Sequence, residues 1–465
     1  MPMRRSTLLA ALLLSSSWAN ADSALSEQTL NATQELKKHA MVSQHPWNIL
    51  ESLTTEVGPR LPGTEGDVRA VQWAMDKFKQ LGFSKVYKEP VKVPYWYRGS
   101  AHASVVAPFP QPLTITALGN SVAADVTAQI IRFDNLDALI QADAAQVKGK
   151  IVFIDHKMER YRDGRGYGPV VKARGKGAVE AAKKGAVAML LRSVGTDSHR
   201  FAHTGVMRYV DYVDAIPAAA LSNPDADQIT RMLSRGEKVE VNVKLTSENR
   251  GEATSYNVIA EIPGSDLANE VVIIGAHLDS WDEGTGALDD GAGVAIVTGA
   301  AKHILERGLT PRRTIRVVLF AAEEIGLVGA KAYRDAHKDT LDSIYIAAEA
   351  DFGAGPIYQF NTRVNESALD SMEIIAKQLE SLGVKLGNNA SWGGPDVSIL
   401  PALGVPVAGL SMDGTDYFDY HHTADDTLDK VDPDALRQSS AVYTLYAWMM
   451  ANLDEELRPI PLPKQ

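Results

Sequence analysis

The chain has 465 residues, 45% of them hydrophobic and 23% charged, with a formal net charge of −11 and no cysteine. That length exceeds one ordinary core and favours two domains, or one large α/β domain carrying an insertion. The acidic balance argues against nucleic acid, which is bound by neutralising phosphates with Lys and Arg; the absence of cysteine excludes disulfides, thiolate metal sites and thiol nucleophiles, so any metal must be held by His, Asp and Glu.

At the N-terminus, Arg4 and Arg5 precede an apolar run from Leu8 to Leu14 and then Ala19-Asn20-Ala21, the pattern of an export leader cut before Asp22. The run is far shorter than the roughly 20 residues that span a bilayer. The expectation is therefore an exported protein, periplasmic or secreted, with no membrane attachment after cleavage. Removing Arg4 and Arg5 and no other charge takes −11 to −13. The expected division is a leader over 1–21, a main body over 22–95 and 251–465, and an insertion over 96–250.

Residues 26–56 and 65–82 carry helical spacing, with Val68, Val71, Trp73, Ala74, Phe78 and Leu81 on one face before Gly82. Between them lies the turn-rich Gly58-Pro59-Arg60-Leu61-Pro62-Gly63. From about Tyr95 to about residue 250 the texture changes to short β-branched stretches broken by Gly, Pro and Asn. Strands are expected there at 150–154, 186–191, 216–221 and 239–245, with a helix over 176–184. The basic stretch 157–174, with Arg160, Arg162, Arg165 and Lys172, reads either as a solvated loop or as a lid that attracts substrate carboxylates. From 255 onward apolar runs alternate with helical patterns, the signature of βαβ units. The expected strands are 271–276, 315–321, 344–350 and 405–410, and the helices 291–307, 325–337, 366–381 and 433–453.

His277 and Asp279 close the first of these strands, Asp289 and Asp290 precede a Gly-opened helix, Glu323 and Glu324 follow the second strand, and Asp351 closes the third. Singly, each has an ordinary explanation: a Glu pair suits a helix start, and an Asp after a strand is often a cap or turn residue. Together they differ, because groups at the carboxyl ends of neighbouring parallel strands converge on one crevice. So many carboxylates in one buried place repel prohibitively unless cations neutralise them. A metal pair is the simplest solution, and His422 after the fourth strand adds a second imidazole. Imidazole with carboxylate suits Zn²⁺, with Co²⁺ or Mn²⁺ as substitutes. His45, His102, His303 and His337 are read as structural.

The ordered set His277-x-Asp279, Asp289-Asp290-Gly291, Glu323-Glu324, Asp351 and His422-Thr423-x-x-Asp426-Thr427 resembles the motifs of the M28 family of zinc peptidases. Over roughly residues 45–455, including Pro59-Arg60-Leu61-Pro62-Gly63-Thr64, the chain looks most like its plasma glutamate carboxypeptidase branch, also called carboxypeptidase Q. The resemblance implies a zinc exopeptidase fold, an α/β body with a mainly parallel sheet flanked by helices, and an inserted β-rich domain like a protease-associated domain. It implies two Zn²⁺ per chain, bridged by Asp289, with His277 and Asp351 on one ion and Glu324 and His422 on the other. Glu323 is then the general base acting on a water shared by the metals, Asp279 orients His277, and the Asp289–Asp290 peptide is expected to be cis.

Several relatives carry Tyr where this chain has His421. The adjacent imidazoles leave two ligand choices, of which the His-Thr-x-x-Asp-Thr spacing favours His422. Trp392, Asp396, Tyr417 and His421 are candidates for substrate contact, with packing as the alternative. The expected activity is hydrolysis of dipeptides or short unblocked peptides. The rivals are a carboxypeptidase, an N-acyl amino acid amidase on the same site, and a binding protein that kept the fold without the chemistry. The resemblance is also compatible with a homodimer.

Overall fold

Two eight-stranded sheets organise residues 24–462, the part of the chain described by the computed structural model. The expected leader lies outside these residues. In the larger sheet Leu267–His277 runs parallel to Arg313–Phe320 on one side and to Ile344–Glu349 on the other, and Ile344–Glu349 runs parallel to Val407–Met412. Val271 to His277 is buried without interruption, as a strand covered on both faces should be.

The flanks are antiparallel: Lys85–Tyr97 pairs with Glu248–Ile262, and Ile357–Arg363 with Val407–Met412. The body is thus α/β as expected, with a parallel centre inside a mixed sheet. Lys85–Tyr97 escaped the sequence reading because Pro90 and Pro94 argue against a central strand; it is an edge strand, where a missing N–H is tolerated.

Helices cover both faces. The stretch expected as helical over 26–56 is broken into Glu27–Ala40 and His45–Ser52, because Pro46 lacks an N–H and can sit only in a first turn. Ala292–Glu306 is apolar nearly all round and almost wholly buried, packed between His45–Ser52 and Pro433–Asn452. A Cβ on Gly293 would run into the Ala350 carbonyl and the Asp290 carboxylate, so this helix starts hard against the ends of the central strands. Among the described residues no helix is long and apolar enough to cross a membrane.

The smaller sheet is built from strands between Ala101 and Leu245. The chain leaves the larger sheet through Tyr97 and re-enters it at Glu248, its paired residue. Ala124–Phe133, Ile151–Ile154, Ala188–Arg192 and Ala218–Leu221 run parallel at its centre, and the helix expected over 176–184 begins already at Tyr167. Gly168, Pro169 and Gly175 hid its first turns from a propensity reading.

Two arginines of the basic stretch are tied to the larger sheet rather than free in solvent. Arg160 bonds Asp416 at 2.9 Å and Asp419 at 2.6 Å, and Arg162 bonds Asp413 at 2.8 Å with its guanidinium 3.7 Å from the Tyr358 ring centroid. These contacts seam the inserted segment to the 413–419 loop of the larger sheet.

Leu50 is fully buried against Gly291, where the helix after Asp289 begins. Leu50→Ala is expected to lower the unfolding free energy by about 2–5 kcal/mol, read as a shift in the denaturant midpoint of the metal-free protein.

Candidate metal centre

His277 is the last residue of Leu267–His277, and Glu323 and Glu324 follow the end of Arg313–Phe320, its parallel neighbour. Asp351 follows Ile344–Glu349, the neighbour on the other side. Strand register therefore sets these groups side by side at one sheet end. Asp289 enters from the loop beyond His277, where the Asp289–Asp290 peptide is cis.

The Asp289 carboxylate stands at the middle. Its Oδ1 lies 3.2 Å from His277 Nε2, and its Oδ2 lies 3.3 Å from His422 Nε2. Beyond these imidazoles, Asp351 Oδ1 is 3.8 Å from His277 Nε2 and Glu324 Oε2 is 2.9 Å from His422 Nε2. Each oxygen of Asp289 thus faces one imidazole–carboxylate pair. Ligand atoms about 2.0–2.1 Å from a tetrahedral ion stand about 3.3–3.4 Å apart, so these spacings fit two ions sharing Asp289. Asp289 Oδ2 and Glu324 Oε1 are buried without a hydrogen-bond partner, as unliganded coordinating oxygens would be.

Ligand atoms also converge within 4.8 Å in the sets Asp289, His421, His422 and His277, Asp290, Asp351. Asp290 is already engaged: its oxygens accept from His277 N at 3.0 Å and Gly293 N at 3.1 Å. The His421 ring stacks on His422 at 3.6 Å with its Nε2 3.6 Å from Asp289 Oδ2, so His422 reaches two carboxylates and His421 one.

The electrostatics fit a site for cations. Burial pushes the Glu323 carboxyl up to about 8, Glu324, Asp279 and Asp289 adding to it against the charge of His277. Burial likewise raises Asp351 well above the usual range, Asp290 and Asp289 contributing. Asp289 alone is held well below that range: burial opposes it, but the facing imidazoles of His277 and His422 prevail. A divalent ion reverses such local pKa logic and keeps carboxylates ionised.

The supporting contacts are only partly those expected. His277 Nδ1 lies 3.1 Å from the main-chain carbonyl of Asp279 and 3.5 Å from its Oδ1, so the carbonyl is the better partner for the ring hydrogen. The Asp279 carboxylate instead accepts from Glu323 N at 3.0 Å and Glu324 N at 3.3 Å, fixing the turn that aims the two glutamates. Asp426 does the same for Asp289, accepting from Leu288 N at 2.6 Å and Asp289 N at 3.2 Å.

Two residues were missed altogether. Trp281 Nε1 donates to Glu324 Oε2 at 2.6 Å, and the wholly buried Arg60 guanidinium donates to the carbonyls of Leu278 at 2.5 Å, Thr285 at 2.6 Å and Gly286 at 2.8 Å. Trp281 stands two residues after Asp279, which was the one local signal; Arg60 had none beyond its place in a turn-rich loop.

Of the candidate substrate contacts, Trp392 is 58% exposed and lines a cavity of about 300 Å³ bounded by Asp351, Phe352 and Asn361. Asp396 and Tyr417 are not on the expected rim. Val397 and Leu400 pack into the core and draw Asp396 inward, where its N–H donates to Glu349 Oε2 at 2.7 Å, and Tyr417 is buried against Phe352.

The model of "Peptidase family M28" matches residues 257–447. Carboxypeptidase Q of Mus musculus is 34% identical over 435 residues, covering 93% of this chain and 91% of that protein. The crystal structure of a "Peptidase M28 precursor" from Shewanella amazonensis SB2B superposes with a TM-score of 0.93 at 59% identity, covering 94% of this chain and 99% of that one. BSAP, a zinc aminopeptidase from Bacillus subtilis, shares the fold at a TM-score of 0.62 and 18% identity, over 89% of this chain and 98% of that one.

Trp281→Phe removes the indole donor to Glu324 while preserving an aromatic ring. It is expected to weaken divalent binding by roughly 10–100-fold, measured by equilibrium dialysis of the metal-free protein against Zn²⁺.

Proposed function

The chain belongs to peptidase family M28 and is a metallo-exopeptidase, and from that premise we propose that it is a di-zinc enzyme hydrolysing dipeptides or short unblocked peptides. The observation that carries this reading is the Asp289 carboxylate with an imidazole–carboxylate pair facing each of its oxygens. In it, His277 and Asp351 hold one ion, Glu324 and His422 the other, and Asp289 both. The leader pattern supports export.

When bound, the ions would acidify a water and polarise the scissile carbonyl. The remaining work falls to the chain. Glu323 is the neighbour of Glu324 yet only half-buried, and the Asp279 carboxylate fixes both backbones, so one glutamate is committed to the His422 side while the other is left to move a proton. A Glu323 oxygen takes the proton of the attacking water and passes it to the departing amine. The cavity beside Asp351, about 300 Å³ with Trp392 at its edge, has the size for one substrate side chain.

The similarity to carboxypeptidase Q favours a second reading, a carboxypeptidase on the same centre. A panel of free, N-blocked and C-amidated dipeptides, assayed with Zn²⁺ and with a chelator, separates the readings. Metal-dependent cleavage of free and amidated forms but not blocked ones is the amino-end result, and cleavage of free forms alone the dipeptidase result. Cleavage of blocked peptides with a free carboxylate would replace these with the carboxypeptidase reading or deacylation, which the released products distinguish. No metal-dependent cleavage of any form would reject the proposal.

Glu323→Gln is expected to keep the metal content of the parent while losing about 10²–10⁴-fold in kcat. Asp289→Asn is expected to lose bound metal as well, which elemental analysis of the dialysed proteins checks.

A further inference from the structure

His422 has a backbone φ of +63°, a left-handed conformation that residues with a Cβ seldom adopt. The turn is closed within its own loop, Thr423 N donating to Tyr420 O at 3.0 Å, and the inserted segment adds contacts of its own. Thr204 N donates to His422 O at 2.9 Å, and His422 Nδ1 lies 3.2 Å from Thr204 O. One residue earlier, His203 Nδ1 lies 2.7 Å from His421 O, and its Nε2 lies 2.7 Å from Asp197 Oδ1.

The carbonyl and the carboxylate both only accept, so both ring nitrogens of His203 donate. The ring is thus locked between one carbonyl and one carboxylate, its side chain and that of Asp197 both fully buried. Asn223 Nδ2 holds the same Asp197 oxygen at 3.1 Å, and Ser193 Oγ accepts from His203 N at 2.9 Å. A Cβ at Gly195 would occupy the space of the His203 ring, so the fit is tight on that side as well.

The same contacts bear on the tautomer of His422. Arg174 Nη1 lies 3.3 Å from the same His422 Nδ1, and a guanidinium can only donate. Were Nδ1 to accept from Arg174, Nε2 would carry the hydrogen and could not ligate. Donation from Nδ1 to Thr204 O leaves the Nε2 lone pair facing Asp289 and Glu324.

We infer that the inserted segment is a working part of the metal centre: His203 with Asp197 is a positioning pair that holds the 421–422 backbone, and Thr204 O sets the ligating tautomer of His422. This rests on the two-ion reading above, with His422 as a ligand. The consequence is asymmetric. The ion on His422 depends on the inserted segment, whereas the ion on His277 and Asp351, which stand at the ends of central strands, does not.

The test is Zn²⁺ titration of the metal-free full chain, followed by calorimetry, for the parent, His203→Ala, His203→Gln and Asp197→Asn. A parallel Co²⁺ titration is followed by visible absorption. The expected result for His203→Ala is one site of parental affinity and a second weakened roughly 10–100-fold, with the visible bands of the second Co²⁺ equivalent altered. His203→Gln, whose amide can donate to His421 O, is expected to recover much of the lost affinity. With Zn²⁺ saturating, kcat should fall more than KM changes. If His203→Ala does not fold, Asp197→Asn and His203→Gln carry the comparison. Two sites of parental affinity in the variants, or two equally weakened ones, would overturn the inference. A parent chain that binds fewer than two equivalents would overturn the two-ion reading beneath it.

Discussion

Asp289, Asp290, Glu324 and Asp426 lie buried within one end of the larger sheet, with Asp279 and Asp351 beside them. Each charged carboxylate taken out of water costs several kcal/mol unless it is paired or ligated. The chain answers that demand in three ways. Backbone N–H groups cap Asp279, Asp290 and Asp426. Imidazoles face both oxygens of Asp289. Arg60 bonds the carbonyls of the 278–286 loop and sets a buried positive charge near Asp426, Asp279, Asp290 and Asp289. Asp289 Oδ2 and Glu324 Oε1 are among the buried oxygens left without a partner, and metal ions would take them.

The two sheets divide this work unequally. Parallel strands are rigid mounts, and the larger sheet provides His277, the Glu323-Glu324 turn and Asp351 at adjacent strand ends. The 421–422 loop has no such mount. It is carried after Val407–Met412 and is held from outside, through residues 203 and 204 of the inserted segment and the Arg160 seam. Trp281 joins the two regions. Its indole bonds Glu324 on one side and lies against Gly119 of the inserted segment on the other. The inserted segment is thus in contact with the candidate site.

This arrangement suits a peptidase of short substrates. A centre assembled between two sheets offers a confined cleft in which a water and a carbonyl can be aligned, and a side-chain cavity opens directly beside Asp351.

The sequence alone determined the alternation of apolar strands and helices beyond residue 255, the order of the acids and imidazoles, and their places at strand ends. Buried parallel strands read as unbroken apolar runs, and a residue at the end of one is placed by its own neighbours in the chain. The M28 motif set was legible for the same reason, being a series of short local patterns. What only the tertiary structure decided are the contacts that join distant segments. Arg60 meets Leu278 across 218 positions and Gly286 across 226, Trp281 meets Glu324 across 43, and His203 meets His421 across 218. The inward turn of Asp396 and the edge strand Lys85–Tyr97 belong with these. No local periodicity encodes such partners, because each is chosen by packing between elements, which exists only once the two sheets have come together.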